Sequence, residues 1–163
     1  MTWEDLLGYL ALWSGVGCGL FCVYVWVVFR TGIVYTARRQ DGTLKERIPL
    51  GGLFNMLVFL LCIVGFQVGA NYLGLARRAV EMSFLHLFLL NFGHYLILFL
   101  FDTAVIDGLV LGVWRPGFLK LPDAMGGESM KEHIMTSIPV GVIAGLGLTA
   151  ISTAVSYFTL FSG

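Results

Sequence analysis

The sequence is short of charge. Only 12% of its 163 residues are Asp, Glu, Lys or Arg, against 58% hydrophobic residues and a mean hydropathy of +0.86. A free soluble domain carries about 25% charged residues, so that class is excluded. A formal net charge of zero removes the bulk electrostatic basis for a nucleic-acid partner. Cysteine is scarce as well. Cys18, Cys22 and Cys62 all fall inside apolar blocks and make no CxxC pair, which leaves no zinc or thioredoxin-like reading. Free cysteines pack as small hydrophobes; the alternative is a thiol site in which Cys62 joins Cys18 and Cys22, which share a helix face. HExxH, GxSxG and P-loop motifs are missing, so no catalytic signature stands out. The first residues hold Glu4 and Asp5 where a secretory signal would be basic, so the first apolar segment reads as retained. No internal repeat is evident, which argues against an inverted-repeat transporter.

What is present is a set of four long apolar blocks, at about residues 6–29, 50–75, 84–112 and 134–161. Each exceeds the ~20 residues that cross a hydrocarbon layer, and none alternates as a barrel strand must. The expectation is a single all-α polytopic domain over residues 1–163, four transmembrane helices in a lipid bilayer. The third block is irregular. Its apolar character persists to Trp114, interrupted by Asp102 and Asp107. As a straight α-helix it would be roughly 45 Å long at 1.5 Å per residue, so it either protrudes or bends near Asp107–Gly108. Trp114, Arg115 and Pro116 suit an interfacial end.

Basic residues set the orientation. Arg30, Arg38, Arg39, Lys45 and Arg47 fall between the first two spans, where Asp41–Gly42 makes a plausible turn; Arg115, Lys120 and Lys131 fall between the last two. The opposite side has Arg77 and Arg78. The positive-inside rule then places both longer linkers in the cytoplasm and both termini outside.

Small residues recur four apart: Gly15 and Gly19, Gly65 and Gly69, and Gly141 and Gly145, the last pair continued by Thr149 and Thr153. Such ridges permit close backbone approach between membrane helices. The sequence leaves open whether the long ridge meets a sister helix, another copy or a different subunit. Pro139 reads as lying in the first turns of the fourth helix, where it is tolerated.

The third helix is unusually polar, carrying His86, Asn91, His94, Asp102 and Asp107. Ionisable residues at membrane depth are costly and normally face the bundle interior. At about 100° per residue, Asn91, His94, Tyr95 and Asp102 share one stripe, while Asp107 points elsewhere and His86 is offset. Gln67 and Asn71 share a face of helix two at the depth of Asn91, and Asn55 lies nearer Asp102. An antiparallel pairing of helices two and three would set Gln67 and Asn71 beside the stripe. It reads either as a structural hydrogen-bond network or as a ligand site. Asp102, near mid-membrane, must be neutral, paired or hydrated. On an α-helix, Asp102 and Asp107 lie on different faces and do not chelate together.

From His86 onward, the run FDTAVIDGLVLG, then WRPGFLKLP, then His133, resembles a group of bacterial four-helix integral membrane proteins of uncharacterised activity. Those proteins carry an acidic pair late in the third helix. The resemblance covers the second half of the chain, on Asp102, Asp107, Pro116, Pro122 and His133. It implies a bacterial inner-membrane location and no particular activity.

Four functions fit these observations. The first is an accessory or structural subunit of a larger membrane complex, with other membrane subunits or further copies as partners. The second is an oligomeric proton- or cation-linked transporter or channel using Asp102 and His94. The third is a membrane enzyme acting on a lipid or isoprenoid through Asp102, Asp107 and His133. The fourth is a pigment- or haem-binding subunit using His94 or His86 as an imidazole ligand. The topology has a direct check. Single cysteines placed near either terminus should react with an impermeant thiol reagent from outside intact cells, and protection there with labelling only after lysis would invert the orientation.

Overall fold

The computed structural model describes residues 3–33, 49–78, 80–119, 121 and 128–161. Arg38, Arg39, Lys45, Arg47, the Asp41–Gly42 turn, Lys120 and Pro122 lie outside the described residues, as do the side chains of Arg78, Lys131 and His133. Four long helices account for nearly all of the rest: α1 (Trp3–Arg30), α2 (Leu50–Gly74), α3 (Phe84–Phe101) and α4 (Glu128–Ser156). Those four apolar stretches, with α3 taken on to Trp114, are each long enough to cross a bilayer. The protein is therefore an all-α, multi-pass integral membrane protein, and its surroundings are lipid.

The inside-out composition of the bundle agrees with that medium. Large aliphatic side chains such as Leu7, Leu85, Val140 and Ile143 lie mostly exposed on the outside. Gln67, Asn71, Asn91, Thr149, Ser152, Thr153 and Ser156 are among the most completely buried side chains, alongside Leu75 and Leu87. Two small apolar cores flank this polar centre. One joins Phe21, Val25, Val28 and Phe29 of α1 to Ile106, Leu111 and Leu119. The other joins Tyr9, Leu75 and Leu87.

The helices meet in an order that chain sequence does not suggest. The closest backbone pairings are α3 with α4 and α2 with α4, followed by α1 with α3. Helices α2 and α3, expected to pair because of their short connection, are joined instead through long polar side chains. Helices α1 and α2 meet through aromatic rings: Trp13 against Phe66 at 6.3 Å between ring centroids, and Tyr24 against Phe59 at 5.0 Å. Rings of that size hold two backbones apart. Gly74 is the exception, because the Tyr9 and Trp13 rings lie where its Cβ would be.

The glycine ridge of α4 is used within the chain. The Phe99 ring occupies the space of a Cβ on Gly141, and the Tyr95 ring does so on Gly145. The Tyr95 hydroxyl then donates to the Gly141 carbonyl at 2.7 Å. Close approach and a hydrogen bond act together, as membrane helix pairs require.

The third span is not a straight α-helix throughout. From Asp102 to Trp114 it becomes a π-helix, ending where the Arg115 N–H donates to the Val110 carbonyl five residues back at 2.7 Å. Its i→i+5 bonding makes this coil wider than an α-helix and shorter for the same number of residues. Arg115 adopts φ 48, a left-handed cap, and Pro116 after it cannot extend the helix.

Pro139 also departs from expectation. Because α4 begins at Glu128, Pro139 stands in the helix interior. Its missing N–H releases a carbonyl one turn earlier. Hydroxyls nearby bond back to the backbone, Thr136 to the Glu132 carbonyl and Ser137 to that of Ile134, both at 3.0 Å. Side-chain hydroxyls of this kind help membrane helices accommodate proline.

The ridge gives a sharp mutational contrast. Gly145→Leu must displace the Tyr95 ring, and we expect a loss of about 1–3 kcal/mol, read as a lower unfolding midpoint in detergent. Gly147→Leu meets nothing within 4 Å and should leave the midpoint unchanged. Equal effects at the two positions would refute the packing.

Candidate functional site

The polar centre is built from all four helices. Gln67 and Asn71 stand one turn apart on α2, so both point the same way. Asn91 comes from α3, Ser152, Thr153 and Ser156 from one face of α4, and Tyr9 from α1. Asn71 is the hub. Its Oδ1 accepts from the Tyr9 hydroxyl at 2.9 Å, and its Nδ2 donates to Asn91 Oδ1 at 3.0 Å and Ser156 Oγ at 2.9 Å. Both amide protons are thereby used. Asn91 Nδ2 passes a further bond to Thr153 Oγ1 at 3.1 Å. Gln67 Nε2 donates to the backbone carbonyl of Asn91 at 2.9 Å, and Gln67 Oε1 accepts a hydrogen bond from Ser152.

An unpaired amide in hydrocarbon costs several kcal/mol by order of magnitude. Here donors and acceptors from four helices satisfy one another, so separating the helices would expose that cost. The arrangement is chemically quiet: amides and hydroxyls of this kind neither exchange protons readily near neutrality nor act as nucleophiles without an adjacent base.

His94 is different in kind. It is 3% exposed, and neither ring nitrogen has a hydrogen-bond partner among the described residues. The Tyr9 ring stands 5.2 Å away between centroids. Beside His94 is a cavity of about 10 Å³ lined by Ser14, Gly17, Ile63, Phe66, Gln67, His94, Tyr95 and Leu98. Ser14 is buried too, and its Oγ likewise has no partner among the described residues. A macrocycle such as haem is far larger than this space, so reaching the His94 nitrogens would require α1 and α2 to part.

The structure therefore divides the residues that the sequence singles out. Gln67, Asn71 and Asn91 come together in one network, and His94 lies against the same part of the bundle. His86 does not join them. It is exposed at the start of α3, where Ser83 Oγ accepts from its backbone N–H at 3.3 Å and lies 2.9 Å from its Nδ1. It belongs to a helix cap. Asp102 and Asp107 are half-buried at the opposite end of the span, in the π segment. There i→i+5 bonding sets residues five apart one above the other, so the two acidic positions share a side of the coil. The α-helical geometry that separated them does not apply.

Among the described residues, no three His, Cys, Asp or Glu side chains gather as a metal-binding group. The thiols of Cys18, Cys22 and Cys62 are free, the first half-buried and the others exposed. Four polar contributors escaped the sequence reading: Tyr9, Ser14, Ser152 and Ser156. Ser152 and Ser156 had a signal, since they continue the hydroxyl face of Thr149 and Thr153 at helical spacing. Tyr9 and Ser14 had none, because nothing in α1 marks which helix they face.

The hub should be measurable. Asn71→Leu keeps the branched shape but leaves the Tyr9 hydroxyl, Asn91 Oδ1 and Ser156 Oγ without their partner. We expect a loss of about 1–3 kcal/mol, read by denaturant titration in bicelles. A variant as stable as wild type would show that the network holds nothing.

Compared with models of known protein families, with curated proteins and with solved structures, the chain matches none.

Proposed function

We propose that this small integral membrane protein is an accessory subunit of a larger membrane assembly, binding its neighbours through helix faces on α1 and α2. The observation that carries this reading is the contrast among the glycine ridges. Gly141 and Gly145 are covered by rings of the same chain, whereas Gly15, Gly19, Gly65 and Gly69 have nothing within 4 Å of their Cβ positions among the described residues. Small-residue ridges are where membrane helices approach closely, and two of them face outward. The self-satisfied polar centre fits the same role, since it makes the bundle a stable unit without a reactive group. The resemblance carried by Asp102, Asp107 and Pro116 supports a bacterial inner membrane as the location.

A second reading is favoured by a separate feature. Asp102 and Asp107 share one side of a π-helix, and π segments frequently mark functional sites. An oligomer that moves protons or cations past this acidic pair and His94 is the alternative.

Native mass spectrometry of protein extracted gently from its own membrane distinguishes the two. The subunit reading expects companion chains in fixed stoichiometry. These should be lost in Gly15→Leu/Gly19→Leu or Gly65→Leu/Gly69→Leu variants whose unfolding midpoints stay at the wild-type value. A wild-type homo-oligomer would favour the transport reading, in which case Asp102→Asn should abolish pH- or cation-dependent flux. A wild-type monomer carrying only lipid would reject the subunit role.

A further inference from the structure

His94, Ser14 and Thr149 hold buried polar atoms that find no hydrogen-bond partner among the described residues; of these, His94 of α3 and Ser14 of α1 stand together at one cavity. Burial without a partner is costly to a ring nitrogen or hydroxyl, and here the cost would fall on both residues at one seam. Both line the same cavity, as does Gln67. Gln67 Nε2 spends one of its two protons on the Asn91 carbonyl, which leaves a second N–H. Three polar groups thus border one space.

The size of that space selects the ligand. A bound water needs roughly 10–15 Å³ of probe-occupied volume and two to four polar partners. The cavity measures about 10 Å³, the lower limit for a single water. Its other walls are apolar: Ile63, Phe66 and Leu98. The Phe66 ring lies against Gly17, with its Cε1 3.0 Å from where a Cβ would be, and this contact covers the space between α1 and α2.

We propose that this cavity is a binding site for a single water molecule that bridges a ring nitrogen of His94 to Ser14 Oγ, with the second Gln67 N–H as a third partner. A neutral imidazole has one donor and one acceptor nitrogen, and a hydroxyl both gives and accepts, so water satisfies either tautomer. No covalent step is involved. The consequence is that an ionisable side chain inside the bundle carries its own solvent molecule, while the neighbouring Asn71–Asn91 network is completed by protein groups alone. The site is independent of the subunit role and stands or falls separately from it.

Solid-state NMR of protein carrying ¹⁵N-histidine and ¹³C-leucine in lipid bilayers tests the site, with the His94 and Leu87 signals assigned by their loss in His94→Phe and Leu87→Val. The proposal expects rapid magnetisation transfer from water to a His94 ring nitrogen, well above the transfer to the dry side chain of Leu87. In Ser14→Ala that transfer should fall several-fold while the helix signals are kept. Transfer to His94 no greater than to Leu87 in the wild-type protein would overturn the site without reference to any variant. Transfer unchanged in Ser14→Ala would overturn the bridge.

Discussion

The bond from Asn71 to Asn91 is the one on which the rest of the bundle depends. In lipid, apolar side chains lose little by leaving one another for hydrocarbon, so the hydrophobic effect does not hold four such helices together. Desolvated amides do, because parting them leaves each without a partner. Asn71 and Asn91 connect α2 to α3 across a gap that their backbones do not close. From that bond the network reaches α4 through Ser156 and Thr153, and α1 through Tyr9. Glycine packing works alongside it. With Tyr95 and Phe99 lying on Gly145 and Gly141, α3 and α4 come close enough for a side chain as short as Thr153 to accept from the Asn91 amide.

The same constraint accounts for where the structure departs from regular helix. A span of 31 residues is long for the membrane, and the change to π bonding at Asp102 shortens it without breaking backbone hydrogen bonds. Pro139 removes an α4 donor, and Thr136 and Ser137 bond back to nearby carbonyls. Polar backbone groups at membrane depth must find partners, the strongest requirement that lipid imposes.

Much of the architecture was legible because it is written in composition. Four apolar blocks give four spans, and the i, i+4 spacing of Gln67 and Asn71, with Asn91 at matching depth, marks the main amides as one group. Helix neighbours were not legible. A short connection between α2 and α3 implies an antiparallel direction, but lateral packing is decided by ring and glycine complementarity, which put α4 between α2 and α3 as the closer partner of each. Tyr9 and Ser14 escaped for that reason: a residue's role in a bundle depends on which helix stands opposite. The π segment escaped because periodicity is read on the assumption of 3.6 residues per turn, and that assumption sent Asp107 to a different face from Asp102. His86 stood among the candidates on residue type alone, and its place in the cap depends on Ser83 three residues earlier.

The central claim is that Asn71 and Asn91 are coupled and not merely buried side by side. A double-mutant cycle on Asn71→Leu and Asn91→Leu in bicelles measures this directly. The account predicts that the double variant loses less stability than the two single variants added together, by about 0.6 kcal/mol, the typical size for an interhelical hydrogen bond in a membrane. Strict additivity would contradict it, and would mean that the two amides contribute independently and that packing alone holds the helices.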